Sequence, residues 1–206
     1  MEKFVQLHNH TEYSLLDGAI KVDELIEKTK ELGLDAVAIT DHGNMYGALQ
    51  FYTGCLAKGI KPIIGCEFYM CEDLTKKQGK VDLGHLILIA KNNDGYKNLL
   101  KLNSIAYIDG YYYKPRIDYT TLAKHSKGLI CLTGCMAGHL PKLILANRYE
   151  DAKKFTQNLA DMFEPGDLYL EIQNHGIEEQ KAIIQGLDKL SKEMNLKLVA
   201  TNDCHY

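Results

Sequence analysis

Residues 36–43, AVAITDHG, show the pattern on which the fold depends. The first five are apolar or β-branched and have the length of a buried strand, and this strand ends directly at Asp41 and His42. A segment of helical period precedes it at residues 22–32, and another follows it at residues 46–58. Because buried strands that alternate with helices form parallel sheets, the pattern predicts an α/β fold with polar side chains at the carboxyl ends of its strands.

The same alternation continues over the whole chain of 206 residues. Seven segments have the length and composition of strands, at residues 4–8, 36–40, 62–70, 85–90, 129–133, 168–173 and 196–201. Further helices are predicted at residues 96–106, at 140–163 with a break near Asn147, and at 178–194. No repeat, low-complexity tract or linker divides the chain, so we expect residues 1–206 to form a single domain.

A doubly wound open sheet and a closed barrel share this alternation. Histidine, aspartate, glutamate and cysteine lie at the ends of strands that are spread along the whole chain. Strands that all point at one central site are typical of a barrel, so we expect a distorted (β/α)7 TIM-like barrel. The final residue, Tyr206, follows the last predicted strand closely, and the barrel is therefore expected to lack its last helix and to be a fragment.

The composition restricts the classes of protein to which the chain can belong. Hydrophobic residues make up 46% and charged residues 25%, which is typical of a folded soluble protein. The formal net charge of -3 argues against a simple basic protein that coats DNA. The longest apolar runs are far shorter than the roughly 20 residues that cross a bilayer, so no membrane contact is expected. With no signal sequence and six cysteines interpreted as reduced thiols, the expected compartment is the cytoplasm.

Metal-compatible side chains end several of the predicted strands. His8 and His10 close the first strand, and residues two apart on a strand project from the same face about 7 Å apart, so both imidazoles can bind one metal ion. Asp203 and His205 repeat this spacing at the other end of the chain. Between these pairs stand five further groups of ligand type, namely Asp17, His42, Glu67, His85 and Cys135.

Each of these side chains alone is more often a solvated, hydrogen-bonded or core residue than a ligand. Nine such side chains at one end of a barrel would place carboxylates and imidazoles close together. Without a metal ion as counter-charge, this arrangement would be energetically unfavourable. The sequence therefore predicts a metal centre. Asp41, beside His42, is expected to face the other way and to support a ligand by hydrogen bonding or to cap a helix.

His85 begins its predicted strand, whereas the other strand ligands lie at strand ends. A parallel strand would carry its imidazole to the opposite end of the barrel. Alternatively, residues 62–70 and 85–90 form an antiparallel hairpin around a loop at residues 72–84, which brings Glu67 and His85 to the same end. The sequence leaves both arrangements open.

Several motifs resemble those of one known family. The segments HNH at residues 8–10, ITDHG at 39–43, GCE at 65–67 and DCH at 203–205 look like motifs of the polymerase and histidinol phosphatase (PHP) superfamily. Longer segments, including ITDHGNMYGALQFY, HLILIAKNNDGYKNLL and YYYKPRID, resemble the N-terminal PHP domain of the C-family replicative DNA polymerases of bacteria. The resemblance covers essentially the whole chain. It implies that these residues are the N-terminal part of a longer polymerase chain and do not polymerise DNA by themselves.

The resemblance also implies a centre of three divalent metal ions made by the nine side chains. By similarity, one ion would be surrounded by His8, His10, Glu67 and Asp203, a second by Glu67, His85 and Cys135, and a third by Asp17, His42 and His205. Imidazole-rich ligation with one thiolate suits zinc, which we favour, or iron or manganese. Paired metals lower the pKa of bound water and stabilise charge on a leaving oxygen, which predicts phosphoester hydrolysis.

Three functions are compatible with these expectations. The first, which we favour, is a 3′ to 5′ exonuclease that proofreads primer ends, with the DNA primer-template as substrate and the remaining polymerase domains as partners. The second is a structural module that uses the metal cluster to dock a separate proofreading subunit. The third is a small-molecule phosphatase of the histidinol phosphate type, which the polymerase-like segments disfavour.

Two further features are candidates for substrate binding. Residues 111–116, YYYKPR, mix aromatic rings with two cations, which would stack bases and hold phosphate through Arg116, or would form a loop over the barrel rim. His175 follows the predicted strand at residues 168–173 and is expected to face the barrel mouth, where it would contact substrate.

Overall fold

The computed structural model describes residues 4–206. In this range the strands are β1 (Ala36–Ile39), β2 (Lys61–Cys71), β3 (Gly84–Ala90), β4 (Arg116–Asp118), β5 (Leu129–Leu132), β6 (Leu168–Ile172) and β7 (Lys197–Ala200). The helices are α1 (Val22–Glu31), α2 (Ala48–Lys58), α3 (Asn93–Ile108), α4 (Tyr119–Lys124), α5 (His139–Leu145), α6 (Tyr149–Ala160) and α7 (Glu178–Met194).

The strands form one curled sheet in the order β1-β2-β3-β5-β6-β7, and β4 pairs with the end of β2. The pairs β1 and β2, β5 and β6, and β6 and β7 are parallel, whereas β3 is antiparallel to both β2 and β5. The predicted α/β class and the distorted TIM-like barrel are confirmed.

The N-terminal segment lies between the two edge strands of this sheet. Gln6 forms a parallel bridge with Val37 of β1, and Asn9 forms another with Cys204, shortly after β7. The backbone amide of His10 donates to the carbonyl of Cys204 at 2.8 Å. These bridges place residues near the start and the end of the described range side by side.

The regular strand predicted at residues 4–8 is not present, and this prediction was wrong. The segment makes only isolated bridges with its neighbours. The side-chain amide of Asn9 donates to the carbonyl oxygens of Gln6 and Ala38 at 3.2 and 2.9 Å. The carbonyl of Gln6 accepts from the amide of Ala38 at 2.9 Å, and the carbonyl of Asn9 accepts from the amide of Thr40 at 3.0 Å. The segment thus advances three residues while β1 advances two, which interrupts the regular ladder of hydrogen bonds.

The antiparallel arrangement proposed for His85 is confirmed. β2 and β3 form a hairpin in which Glu67 lies opposite Ile87 and Tyr69 opposite His85. Because alternate residues of a strand share a face, Glu67, Tyr69 and His85 project from the same face of the hairpin. The β2–β3 connection contains no helix, so this part of the barrel departs from a regular β/α repeat.

The hairpin also separates two parts of the hydrophobic core. Phe68 and Leu88 belong to the cluster that packs against α3 and α6 on the outside of the sheet. Ile87, Ile89 and Leu132 belong to a second cluster, which lies on the opposite face of the strands. The alternation of residues on one strand therefore supports two buried layers.

The longer helices agree with their predictions, and the differences are local. The helix predicted at residues 140–163 is two helices, α5 and α6, which are divided as expected near Asn147, where φ is 56°. α3 begins earlier than predicted, because the side chain of Asn92 accepts a hydrogen bond from the amide of Gly95 and caps the helix. β4 and α4 were not predicted. None of the helices within residues 4–206 has both the length and the apolar character needed to cross a membrane.

Candidate metal centre

Two buried histidines lie at the centre of the site. His8 and His10 come from the N-terminal segment, and their Nε2 atoms are 3.0 Å apart. Nδ1 of His8 is 2.7 Å from Oε1 of Glu171, and Nδ1 of His10 is 3.1 Å from the hydroxyl oxygen of Ser14. Neutral imidazoles that donate from Nδ1 to these partners have lone pairs on both Nε2 atoms, and a cation is the partner that both can share.

Two carboxylates lie against this pair. Oδ1 of Asp203 is 3.1 Å from Nε2 of His8 and 3.2 Å from Nε2 of His10. The two oxygens of Glu67 are 3.5 Å from His8 and 3.6 Å from His10. Asp203 has a φ of 50°, in the left-handed region that aspartate tolerates better than most residues. The structure thus brings together the four side chains assigned to the first ion.

Glu67 also contacts a second group. Its Oε1 is 3.0 Å from Nδ1 of His85, and its Oε2 touches Nδ1 of His42. The sulfur of Cys135, in the loop after β5, is 4.0 Å from Nδ1 of His85. The carboxylate of Glu67 therefore lies between His8 and His10 on one side and His42 and His85 on the other.

The third group lies on the outer side of the cluster. Oδ2 of Asp17 is 2.9 Å from Nε2 of His42 and 3.5 Å from Nε2 of His205. The ring of His10 stacks on the rings of His42 and His205, with centroids 4.0 and 4.2 Å apart. Each of the nine predicted ligand side chains thus has a donor atom within 4.0 Å of another, and together they form one continuous cluster.

Buried atoms without a hydrogen-bond partner show that the cluster fits a metal. Among residues 4–206, His42 Nδ1, Glu67 Oε2 and Asp203 Oδ1 are buried and form ion-pair contacts within the cluster but no hydrogen bond. Burying a polar atom without a hydrogen-bond partner is destabilising unless another group, such as a cation, binds to it. Three sets of donor atoms lie within 4.8 Å of one another: His8, His10 and Asp203; His10, His42 and His205; and His42, Glu67 and His85.

The carboxylates change the protonation of the imidazoles. Burial would lower the pKa of His8, but Glu171 and Glu67 outweigh burial and raise this pKa well above its usual value. Burial would also lower the pKa of His42, but Glu67 and Asp17 outweigh burial and raise this pKa. For His10 burial is the stronger effect, and its pKa is lowered. In the metal-free protein His8 and His42 therefore hold a proton more readily than a free imidazole, whereas His10 holds one less readily.

The acidic groups show the complementary behaviour. Burial would raise the pKa of Glu67, but the adjoining imidazoles of His42, His8 and His85 hold it well below its usual value. The pKa of Asp203 is lowered in the same way, chiefly by His10, against the effect of its burial. Burial and the nearby carboxylates raise the pKa of the Cys135 thiol. Both carboxylates are thus ionised and ready to bind a cation, whereas the thiol must first lose its proton.

Two buried carboxylates outside the nine hold histidines in place. Asp41 accepts hydrogen bonds from the amide and hydroxyl of Thr11, at 2.6 and 2.8 Å, and from the hydroxyl of Ser14, at 2.7 Å. Ser14 in turn contacts Nδ1 of His10. Asp41 therefore supports a histidine by hydrogen bonding, as the sequence suggested.

Glu171, near the end of β6, was missed by the sequence prediction. Besides His8, it accepts hydrogen bonds from the hydroxyl of Thr201 at 2.5 Å and from the amide of Gly134 at 3.0 Å. The signal that would have found it is an acidic residue inside an otherwise apolar strand segment, where a carboxylate needs a buried partner.

Neither predicted substrate-binding residue belongs to the cluster. Arg116 is fully buried in β4, and its guanidinium donates to three backbone carbonyls at 2.8 to 3.3 Å. The predicted role of Arg116 in substrate binding was wrong, because the side chain is enclosed by the loops that it holds together. His175 is exposed, and its Nε2 lies 2.8 Å from the carbonyl oxygen of Asn202. Its contact with substrate stays a prediction.

Comparison with known proteins agrees with the motifs. The PHP domain family matches residues 6–175, which is most of the chain. The chain belongs to the PHP family. Among solved structures, a candidate metal-dependent phosphoesterase from Bifidobacterium adolescentis aligns with 100% of this PHP chain and 89% of its own, with a TM-score of 0.63 and 15% identity. An amidohydrolase from Chromobacterium violaceum, with bound sulfate and no metal, aligns with 98% of the PHP chain and 87% of its own, with a TM-score of 0.56 and 12% identity. These structures share the fold.

Curated relatives of the PHP chain are named DNA polymerase III subunit alpha. The protein of Borreliella burgdorferi is 50% identical over 99% of the chain, and that of Treponema pallidum is 46% identical over 98%. The protein of Helicobacter pylori strain 26695 is 48% identical over 98%. The PHP chain spans only 18% of the length of each of these relatives.

Proposed function

We propose that this PHP domain is a metal-dependent phosphoesterase that acts as a 3′ to 5′ exonuclease on primer ends. The observation that supports the proposal most strongly is the continuous cluster of nine ligand-type side chains, three of whose buried atoms have no hydrogen-bond partner. A gathering of acidic and imidazole groups at this density is stable only with counter-charge. Paired divalent metals can catalyse hydrolysis of a phosphoester, because they activate water and stabilise charge on the leaving oxygen.

Three divalent ions are the proposed cofactors, with zinc favoured and iron or manganese as alternatives. One ion would be held by His8, His10, Glu67 and Asp203, a second by Glu67, His85 and Cys135, and a third by Asp17, His42 and His205. When bound, the ions supply Lewis acidity at a phosphoryl oxygen and lower the pKa of water.

The protein itself orients the donors and leaves one side of the cluster accessible. Glu171 and Ser14 orient the rings of His8 and His10 by contacting their Nδ1 atoms, which leaves the Nε2 atoms facing the cluster. The side chain of Asp17 is 56% exposed, whereas that of Glu67 is only 1% exposed. A phosphate group is therefore expected to approach from the side of Asp17.

The proposed setting is bacterial DNA replication. The relatives named as polymerase subunits are much longer than the PHP chain, so the remaining domains of such a subunit are proposed partners. The DNA primer-template is the proposed substrate, a separate proofreading subunit is a further proposed partner, and the cytoplasm is the proposed compartment.

The proposal is tested by metal analysis of the purified protein and by two activity assays, which measure nucleotide release from a mismatched primer and phosphate release from histidinol phosphate. We expect bound divalent metal, nucleotide release and no phosphate release. His10→Ala should abolish nucleotide release, because it removes a ligand of the cluster. His125→Ala, which alters a histidine at the end of α4 outside the cluster, should not.

The other outcomes identify the alternatives. Bound metal with neither activity would contradict the exonuclease and would favour the structural module that docks a proofreading subunit. Phosphate release from histidinol phosphate alone would favour the small-molecule phosphatase. A protein that binds no metal would contradict both hydrolases.

A further inference from the structure

A cleft of about 360 Å³ opens beside the metal centre. It shares Asp17 and His42 with the cluster, so whatever occupies the cleft is adjacent to the proposed ions. Five tyrosines line it, at positions 46, 69, 107, 111 and 113. Its volume is at the lower end of the range of small-molecule sites, about 300–1,000 Å³, and suits a group the size of a nucleoside.

The tyrosines form an aromatic wall, and one of its rings contacts a proposed ligand. The ring of Tyr69 stacks with the ring of His42 at a centroid distance of 5.9 Å. Further along the cleft, the rings of Tyr107 and Tyr111 stack at 6.3 Å, and the hydroxyl of Tyr46 lies 3.3 Å from that of Tyr107. The wall therefore has one ring against a proposed ligand and a separate group of contacting rings.

The outermost ring is held at the tip of a tight turn. Tyr113 is 79% exposed, and its φ of 59° is a left-handed conformation that a bulky residue rarely adopts. Tyr112 and Lys114 pair across this turn, with the amide of Tyr112 donating to the carbonyl of Lys114 at 3.2 Å. A large apolar ring in an uncommon backbone conformation, left in solvent beside a candidate active site, is an arrangement that function explains better than stability.

Lys114 is the one Lys or Arg among the described residues that line the cleft. Lys114 is exposed, and its Nζ lies 5.2 Å from the centre of the Tyr69 ring. Arg116, the other cation of this segment, is buried and directed away into the protein. Lys114 is thus the group in the cleft that can contact a phosphate of a bound ligand.

We propose that this tyrosine cleft is a binding site for the end of a single-stranded nucleic acid. A terminal base stacks on the ring of Tyr113, and Lys114 contacts the backbone phosphate next to the metal centre. Stacked aromatic rings with one cation are the features that bind single strands without sequence preference, because every base has a flat face. The inference rests on the proposed function, since it supplies the substrate class for the same site.

The test compares two single-stranded thymidine hexamers, one normal and one whose two terminal nucleotides lack bases but keep their phosphates. The zinc-loaded protein is used, and both the equilibrium Kd and the KM and kcat for release of the terminal nucleotide are measured. Tyr113→Ala should raise the Kd and KM of the normal hexamer about tenfold, leave kcat similar and leave the abasic hexamer unaffected. Tyr113→Phe should behave like the unaltered protein, because it keeps the ring.

Two further variants complete the design. Tyr52→Ala removes an exposed tyrosine of α2 outside the cleft and should change nothing. Lys114→Gln should weaken both hexamers by a similar factor and reduce the salt dependence of their binding, because it removes a phosphate contact.

Each result bears on a separate claim. Equal binding of the two hexamers by the unaltered protein, or binding of neither because another part of the protein covers the cleft, would overturn the inference. An unchanged Kd in Tyr113→Ala would do the same. Absence of cleavage in metal-loaded protein that still prefers the normal hexamer would contradict the proposed exonuclease and leave the binding site supported.

Discussion

Glu171 determines which nitrogen of His8 faces the cluster. Its carboxylate contacts Nδ1 of His8 and also accepts hydrogen bonds from Thr201 and Gly134, so alanine at this position would leave three buried partners unsatisfied. We expect Glu171→Ala to weaken zinc binding about 10- to 100-fold. Glu171→Gln, which keeps an acceptor but loses the charge, should have a smaller effect. Competition with a fluorescent zinc chelator measures both, and unchanged affinity in Glu171→Ala would show that the carboxylate has no positioning role.

The protonation of the metal-free cluster predicts that zinc binding strengthens as the pH rises. Burial raises the pKa of the Cys135 thiol, and the pKa of His8 is raised by Glu171 and Glu67 against the effect of burial. Both groups must lose a proton before they bind metal, so higher pH favours the binding form.

We expect the apparent zinc affinity to rise between about pH 6 and 8, with proton release that a pH indicator detects in weak buffer. Cys135→Ser should reduce the number of protons released. Proton uptake on metal binding would be the opposite of this expectation.

At the residue scale, the sequence predicts ligand-type residues better than their supporting partners. His8 and His10 stand out because their spacing alone places both imidazoles on one face. Glu171 does not stand out, because its role depends on a histidine 163 residues away. Arg116 was misassigned for a similar reason: a cation beside tyrosines suggests phosphate binding, and only the folded loops show that backbone carbonyls enclose it.

At the scale of elements, the turn after β1 connects the metal centre to the tyrosine cleft. Gly43 has a φ of 61°, and a Cβ atom there would lie 2.7 Å from Cγ of Pro115 and 3.2 Å from the ring of Tyr69. Gly33 has a similar φ of 67° but open space around it. Gly43→Ala thus adds a steric clash to the backbone strain of about 1–2 kcal/mol that both substitutions share.

We expect Gly43→Ala to lower the free energy of unfolding by about 1–3 kcal/mol more than Gly33→Ala. It should also weaken zinc binding, because His42 is the preceding residue. Urea unfolding measures the first effect and chelator competition the second. Equal losses of stability in the two variants would mean that the turn has room for a methyl group.

The elements that the sequence predicts best are those with a long periodic pattern. α7 (Glu178–Met194) has the predicted bounds, because its apolar residues repeat over several turns. β4 has 3 residues and α4 has 6, too few to show a period. The segment at residues 4–8 has the composition of a strand but not its regular ladder, since the chain advances from Gln6 to Asn9 while β1 advances only from Ala38 to Thr40.

On the scale of the whole molecule, the metal centre is expected to connect both ends of the barrel sheet. His8 and His10 come from the N-terminal segment and Asp203 from the residues after β7, so shared ions would cross-link parts of the chain that separate on unfolding. Metal at about 1,000 times its Kd stabilises a folded protein by about 4 kcal/mol.

Removal of metal should therefore lower the Tm by about 8–16 °C, at about 2–4 °C per kcal/mol for a domain of this size. Differential scanning calorimetry with and without a chelator measures the change. His10→Ala should show a smaller shift than the unaltered protein. An identical Tm with and without chelator would mean that the cluster does not stabilise the fold through metal.

The closure of the barrel was predictable because ligand pairs occur near both ends of the sequence, and one shared site brings such pairs together. The direction of the strands was harder to predict from the sequence. That β3 runs antiparallel to both β2 and β5 follows from long-range pairing, which no local pattern of residues specifies. Only the position of His85 at the start of its strand pointed to the hairpin.

Anomalous diffraction from crystals of zinc-loaded protein would show whether the nine side chains share metal ions, because it locates metals independently of activity. Three peaks are expected among the nine side chains, each about 2.0–2.3 Å from its ligand atoms, with one in contact with both His8 and Asp203. A map without peaks at the barrel mouth, or with zinc bound only at other cysteines and histidines, would contradict it.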